Sequence, residues 1–587
     1  MAGLVMKYDV VITGAGLAGL SLARHLLIYT DKTVLVLDRL ENPPGKTQKV
    51  GESLVQLAGY YFSKILDLEE HLLVHHYLKY NLRFYWKTSS GGHDFWEDTS
   101  SGSIRTISNL ATFQLDRNVL EAHLLKVNRA NPRFHFIGGV KNCRIELSAD
   151  GGDHKIFFDG GEATGRWVVD ASGRPGILKR SLSMRKKNDI RHGSTWCWVE
   201  GLVDAERLTS LARTQTLLHP KRRKLGSFPF FLATNHFCGE GWWFWVIPLH
   251  GITSLGLVYE HAAVRPEDVP NARKMLEWVC RQWPMFAADL AQRKLVDEGR
   301  LVDYSHDAQQ TIDPARWAIT GVAGRFTDPL YSPGSDLISI YNTLIVDAVQ
   351  ADSAELESRC AFYEQVMRVM YEAYVPSYAV SYNCLGDAEV FTLKYTWELA
   401  LYFGFYVTPF VNRLFTDRKF MGSFLRKFAF LGPINRNLQK FLRDFFLWKK
   451  DNGRTMPEEP VHIEFYDMEP LRQSEKLFYQ VGLTAEETDR LLDTQLERMR
   501  EFTRYILAHV HAVVLGDKRV LLSASFVASL KLRETVFDPA RMSEAWAAHA
   551  GREGVYQWNL DPFALGGFIH ERPVPESPLP EYQTIDG

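Results

Sequence analysis

The sequence predicts an α/β chain, α+β overall. It combines a Rossmann-like nucleotide-binding domain, an inserted β-sheet substrate part and a helical C-terminal region. Three observations predict it. A glycine-rich turn joins a strand to a helix near residue 14, strand-like runs rich in aromatics fill 192–258, and glycine becomes rare after about 350. The boundaries read as 1–350 for the first module, with its β-rich part at about 80–110 and 190–300. Residues 351–570 form the helical region, and 571–587 a Pro- and Glu-rich tail expected to be poorly ordered.

The first element is the run Tyr8-Asp9-Val10-Val11-Ile12, the composition of a buried parallel strand. Gly14-Ala15-Gly16-Leu17-Ala18-Gly19 follows, then a helical run and a second strand, Thr33 to Leu37, ending on Asp38. This is GxGxxG in the context it requires. Gly14 permits the turn, Gly16 lets a pyrophosphate approach the backbone, and Gly19 lets helix and strand pack. The helix start offers N–H groups and a partial positive charge to phosphates. Asp38 can accept ribose hydroxyls.

Val50-Gly51-Glu52-Ser53-Leu54 reads as a turn opening a helix, with Ser53 a possible N-cap. Residues 79–86 alternate as a strand beginning at Lys79. Asp116 or Asn118 can cap the helix that follows, and Arg117 at its start implies an anionic partner. Residues 134–137, 144–147 and 155–158 read as a hairpin-rich insert. Trp167 to Asp170 is a buried strand ending in the polar turn Ala171-Ser172-Gly173-Arg174.

The run Trp242-Trp243-Phe244-Trp245-Val246-Ile247-Pro248 puts large rings on both faces of a strand. Either both faces are buried or one lines an aromatic cavity. Trp317 to Thr320 is another strand, and the glycine-rich segment 321–334 leads from it into a helix over 336–349. Farther on, Thr484-Ala485-Glu486-Glu487 is a capping box. Residues 413–450 hold ten Lys/Arg against Asp417 and Asp444, interleaved with phenylalanines. They read either as a helical pair with a solvated basic face or as a surface for an acidic partner or an anionic membrane.

Composition bounds the rest. A chain of 587 residues is too long for one core. With 46% apolar residues, 24% charged residues and a formal net charge of −2, it carries no global field for nucleic acid. The six cysteines form no CxxC, so no metal or disulfide framework is expected and a reducing cytoplasm fits. No signal peptide is expected before the first strand, and the apolar run 399–411 is too short to span a bilayer. The expected localisation is cytoplasmic, with peripheral contact to a membrane surface as the use for 413–450.

Four segments in one order carry a resemblance: GAGLAG at 14–19, VGES at 50–53, WxWxIP from Trp243 to Pro248, and GxAGxFxDPLxSxG at 321–334. Together they resemble the flavin-dependent halogenases, a branch of the FAD monooxygenase fold, well over residues 8–350 and loosely beyond. The resemblance implies FAD used as FADH2, O2, and bromide or chloride; no second GxGxxG appears, so no separate nicotinamide domain is expected and a partner flavin reductase would supply FADH2. In that family oxidised halide travels as hypohalous acid to a lysine beside the substrate. Lys79, with Phe84 after it, fits that place. A buried ammonium can polarise the oxidant, and a neutral amine can itself be halogenated; burial lowers a lysine pKa towards the working range.

Carried over by position, Gly14, Ala15, Gly16, Gly19, Asp38 and Arg39 hold the ADP part of FAD. Glu52, Ser53, Arg117, Asp170, Gly321 and Asp328 lie near the cofactor. Ser332, Pro333 and Gly334 form the halide and flavin loop, and Trp243, Trp245 and Tyr331 the substrate cavity.

Three departures matter. Tyr331 stands where tryptophan halogenases have glutamate, which points to the phenol or pyrrole branch. Val322 replaces a polar residue of the second FAD motif. Pro333 lacks an N–H that the family offers to halide. The expected function is halogenation of an electron-rich aromatic, a phenol, pyrrole or aryl-polyene-like group, free or carrier-tethered. The alternatives are a flavin monooxygenase or dehydrogenase without halide chemistry, and an FAD-binding docking protein.

Overall fold

The β-branched runs read as buried strands pair in parallel in the computed structural model, which describes residues 6–225, 229–549, 551–552 and 554–571. The segment 572–587, most of the expected tail, lies outside the described residues. The first sheet runs Ile312–Asp313, Trp317–Ile319, Gly161–Asp170, Met6–Thr13, Val34–Leu37, Phe134–Ile137. Its last five strands are parallel, with Val10 opposite Val34 and Trp167. Helices Leu17–Tyr29 and Pro333–Val349 pack together on one face, over Val10, Ile12, Val34 and Val36, while Ile145, Leu178 and Met184 cover Val11, Leu35 and Val168 on the other, so both faces are covered, as a parallel sheet requires.

The second sheet has eight strands, mostly antiparallel: Leu295–Leu301, His192–Glu200, Ile252–Glu260, Trp242–Pro248, Thr234–Gly239, Leu82–Trp86, Ser100–Ser103, His462–Glu464. The strand Trp242–Pro248 resolves the two readings of its aromatic run. Trp242 and Phe244 face a core with Phe237, Trp283 and Phe286, while Trp243, Trp245 and Ile247 face the main core and a cleft. Alternation of two residues divides the rings between the faces.

Past residue 350 the described residues form helices joined by loops, with one short strand among them. His462–Glu464 adds a parallel edge strand to the second sheet beside Ser100–Ser103. One continuous hydrophobic cluster runs from Val10 through Tyr341, Phe391 and Phe441 to Ile569. The capping box opens the helix Ala485–Leu515 as expected, with Thr484 and Glu487 bonding reciprocally.

Residues 413–450 do not form a helical pair. They contain most of a single helix, Arg418–Asp451, which continues through Pro433. Phe420, Phe424, Phe428, Phe441, Phe445 and Phe446 are buried on its inner face. Lys427 pairs with Asp489 and Asp493, and Lys449 with Asp387 and Glu389. The expected membrane contact loses its support, because the rings that would enter a bilayer are already core. No helix among the described residues is long and apolar enough to cross a membrane.

Candidate functional site

The turn after the first strand is shaped by glycine at three positions with different demands. Gly14 has φ +110°, and a Cβ there would sit 2.3 Å from the Ala171 carbonyl oxygen. A Cβ on Gly19 would sit 2.0 Å from the Gly14 carbonyl oxygen. These two weld the helix to the strands. A Cβ on Gly16 would meet nothing within 4 Å, so its backbone faces open space. That is the room a pyrophosphate needs at a helix start that no side chain caps. The Asp38 carboxylate reaches across the turn, accepting from Ala15 N–H at 2.6 Å and Leu40 N–H at 2.8 Å. Arg39 is exposed beside it.

A large cleft continues from this turn. Leu17, Gly51, Glu52, Ser53, Arg117, Gly321, Ser332 and Gly334 line it, with Trp243 and Trp245 on the wall given by the second sheet. The residues present fit a dinucleotide: an open glycine cradle at one end and aromatic walls at the other. Arg117 has the anionic partner expected of it, Glu121, and donates to the Val50 carbonyl at 2.9 Å. Asp116 caps its helix, accepting from the N–H groups of Asn118 and Val119. Glu52 is buried and accepts from Trp198 Nε1 at 2.9 Å and Gly51 N–H at 2.9 Å; burial holds its carboxyl above the ordinary range.

Two acids face inward rather than towards the cleft. Asp170 accepts from Thr13 Oγ1 and from the N–H groups of Ser172 and Leu178. Asp328 is fully buried, with Oδ2 2.6 Å from both His192 Nδ1 and the Tyr304 hydroxyl. Its Oδ1 accepts from Leu330 N–H at 2.9 Å and the Tyr382 hydroxyl at 3.1 Å, and Tyr382 in turn accepts from Trp243 Nε1. Asp328 therefore anchors the loop over 326–334. That loop contains consecutive left-handed residues, Tyr331 at φ 67° and Ser332 at φ 60°. Pro333 opens the helix, and Gly334 and Ser335 of its first turn line the cleft.

Ser53 does not cap a helix. The helix begins later, at Gln56, and Ser53 bridges to Gln114 through the backbone. Its hydroxyl accepts from Lys79 Nζ at 2.8 Å and lies 3.1 Å from Thr234 Oγ1. Lys79 is not a solvated strand-edge lysine. It precedes the strand Leu82–Trp86 and is 4% exposed. Burial lowers its pKa to about 7, against the opposing pull of the Asp336 carboxylate. Asp336, in the first turn of the helix Pro333–Val349, is itself pushed up to about 7 by burial.

Lys79 and Tyr331 line a second cavity. Its other walls include Gln56 from the first module and Tyr374, Tyr395, Glu398, Tyr402 and Tyr406 from the helical region. Trp243 and Trp245 belong to the cleft and Tyr331 to this pocket, so the three aromatics expected in one cavity stand in two. Ser53, on the cleft wall, and Lys79, on the pocket wall, touch across the partition. Sequence reasoning missed Asp336 and Glu398. An acid in a helix's first turn was a visible signal for Asp336; nothing local marked Glu398.

No family model matches the chain. It is 24% identical over 439 residues to the flavin-dependent halogenase chlA of Dictyostelium discoideum, covering 70% of this chain and 72% of that one. It is also 24% identical over 346 residues to a Pseudomonas fluorescens chlorinase of a pyrrole-2-carbonyl group on a peptidyl-carrier protein, covering 56% and 72%. The crystal structure of halogenase PltM in complex with phloroglucinol and FAD superposes with a TM-score of 0.57 at 17% identity, over 84% of this chain and 96% of that one. A flavoprotein/dehydrogenase from Cytophaga hutchinsonii does so with a TM-score of 0.52 at 16% identity, over 76% and 100%.

Proposed function

We propose that this chain, a homologue of the flavin-dependent halogenases in sequence and fold, is an FADH2- and O2-dependent halogenase of an electron-rich aromatic. The observation that carries the reading is the partition between the two cavities. A buried lysine stands on the pocket side and hydrogen-bonds, at 2.8 Å, a serine on the cleft side. O2 would be the oxidant that turns halide into an electrophile, activated by the two electrons of FADH2 that a separate flavin reductase supplies.

The chain's own residues do the rest. The open backbone at Gly16 and the helix behind it receive the pyrophosphate. Gly334 and Ser335, heading a helix at the cleft, offer N–H groups to an anion. Lys79 Nζ, fixed by Ser53, donates a proton to the leaving oxygen, released as water, as halogen passes to the ring carbon, and the neutral amine then takes up the proton that the ring carbon loses. Apolar and aromatic walls keep water away from the oxidant. The exposed basic residues Arg426, Arg436 and Lys440 offer a docking surface if the substrate arrives on an acidic carrier protein.

The test is turnover with reduced FAD, oxygen and bromide on a small panel of phenols and pyrroles, read by mass spectrometry. Halogenated product is expected. Oxygenated or dehydrogenated product at every halide concentration would move the chain to the second reading, a flavin monooxygenase or dehydrogenase. The missing N–H at Pro333 is what favours that reading.

A further inference from the structure

His306 is bonded to both backbone segments that face the cleft after the strand Trp317–Ile319. Its main chain pairs with Phe326, N–H to carbonyl at 2.9 Å in each direction, at the start of the loop over 326–334. Its ring reaches the glycine-rich segment before that loop. Nε2 lies 2.8 Å from the Val322 carbonyl oxygen, and Nδ1 3.0 Å from that of Tyr304. Tyr304, Val322 and Phe326 line the cleft, so the imidazole stands directly behind its wall.

Both ring nitrogens therefore face acceptors. A neutral imidazole has one N–H and satisfies one carbonyl; its other nitrogen turns a lone pair on a carbonyl oxygen. Only the imidazolium donates to both. The surroundings oppose that form. Burial first, then the Lys179 ammonium, lower the His306 pKa to about 4; the two carbonyls pull the other way and Arg174 adds to the opposition. Lys179, on the helix Ile177–Ser181, donates to the Gly324 carbonyl at 3.0 Å, and Arg174 lines the cleft. Asp307, next in the chain, is committed to Lys186, Arg325 and Arg368. Tyr371, from the helix Ser353–Glu372, donates to the His306 carbonyl and not to its ring. The ring is thus neutral near pH 7 with one contact unmet, and a negative charge on the cleft side is what would complete it.

We propose that His306 takes up a proton when flavin held in the cleft is reduced, so that its imidazolium balances the new anion and donates to Val322 and Tyr304 together. Two electrons and one proton convert bound FAD to its anionic reduced form; the second proton goes to His306 rather than to the flavin. The electrons come from the reductase or, in the test, from dithionite. The inference rests on the FAD reading of the cleft and on nothing that happens in the Lys79 pocket. It makes His306 a positioning residue, acting on the cofactor through the backbone of Val322, where the segment lacks a polar side chain. An extra negative charge also makes electron loss to O2 easier.

The experiment uses the full-length protein with bound FAD, oxidised and then reduced by dithionite without oxygen. The first measurement is the absorbance of the reduced flavin against pH, which separates its anionic and neutral forms. The second is the titration of carbon-13-labelled histidine by NMR, the His306 signal being the one missing from His306→Gln. Reduced flavin in wild type is expected to stay anionic to a pH at least about one unit lower than in His306→Gln, a tenfold change in its proton affinity. The His306 signal is expected to titrate at least about one unit higher in the reduced protein than in the oxidised one.

Coincident flavin titrations in the two proteins, or a His306 signal indifferent to reduction, would overturn the proposal. A variant that binds FAD weakly but shows an unmoved flavin titration would make His306 a structural residue and overturn it too. Should His306→Gln not fold, wild type still decides: reduced flavin that takes up its second proton at the pH of free FADH2 has no cation balancing it. A protein that binds no FAD at all would overturn the reading of the cleft instead.

Discussion

Lys79, Ser53 and Asp336 form a short chain of buried polar groups from cleft to pocket. Burial depresses Lys79 to about 7, and the Asp336 charge holds it from falling further. An ammonium that must donate a proton is lost as pH rises through that value, so product formed per FADH2 consumed should decline on the alkaline side. Asp336→Asn removes the opposing charge, and the limb should move to lower pH. A limb moving upward, or none, would take Lys79 out of the reaction. Lys79→Ala should oxidise FADH2 with little halogenated product and with release of free oxidant; wild-type yield would return the residue to a structural role. At the turn, Gly16→Val should fold and lose FAD affinity, whereas Gly14→Ala should fail to fold, because only the first fills open space. Normal FAD binding by a folded Gly16→Val would displace the pyrophosphate assignment. The glycine turn was legible because its chemistry lies within 30 residues of chain. Lys79 was legible only through its resemblance to a family, since nothing local distinguishes a buried lysine from a solvated one. Glu398 and the role of Ser53 were not legible, because each is defined by partners on distant segments.

The helix Pro333–Val349 begins after two left-handed residues, and its first residue has no N–H. Proline suits that position conformationally, yet an anion at this helix start finds one donor fewer. Chloride, the more strongly hydrated halide, loses most when donors are missing. Bromide should therefore be preferred, with high concentrations needed for either. Pro333→Thr should narrow the gap by no more than the ~1.5–3 kcal/mol of one charge-assisted bond. Halide titration of product yield in both proteins checks this, and equal, tight use of chloride by wild type would sink it. The helix Arg418–Asp451 shows what a charge count conceals. Ten cations in the run 413–450 suggested one uniform basic surface, but Lys427 and Lys449 are committed to internal carboxylates. Charge reversal at the exposed Arg426, Arg436 and Lys440 is the cleaner probe. It should reduce turnover of a carrier-tethered substrate more than that of a free phenol, and equal effects on both would leave the face merely solvated.

Across the whole molecule, the helical region is joined to the rest by the shared cluster, by the edge strand His462–Glu464 and by a buried charge group. In that group Lys449 serves Asp387 and Glu389, and Glu389 also meets His509 Nε2 at 2.7 Å. Lys449→Met would leave two buried carboxylates without their cation. The expected loss is ~3–5 kcal/mol, seen as a lower unfolding temperature in calorimetry; an unchanged transition would mean the carboxylates take up protons at little cost. The α/β class, the parallel strands and the helical C-terminal third were readable from the glycine-rich turn, the β-branched runs and the scarcity of glycine after about 350. The edge strand at 462–464 was not, because three residues carry no period of their own.

The division of the walls has a consequence for how such an enzyme can be altered. The cleft draws its lining from residues before 342, while the pocket takes Tyr374, Ser377, Tyr395, Glu398, Tyr402 and Tyr406 from the helices beyond. A chimaera exchanging those helices between related chains would redirect specificity while inheriting the redox machinery intact. It would survive only if the graft carried the edge strand and the Lys449 carboxylates with it, since recombination at the apparent seam cuts through common core.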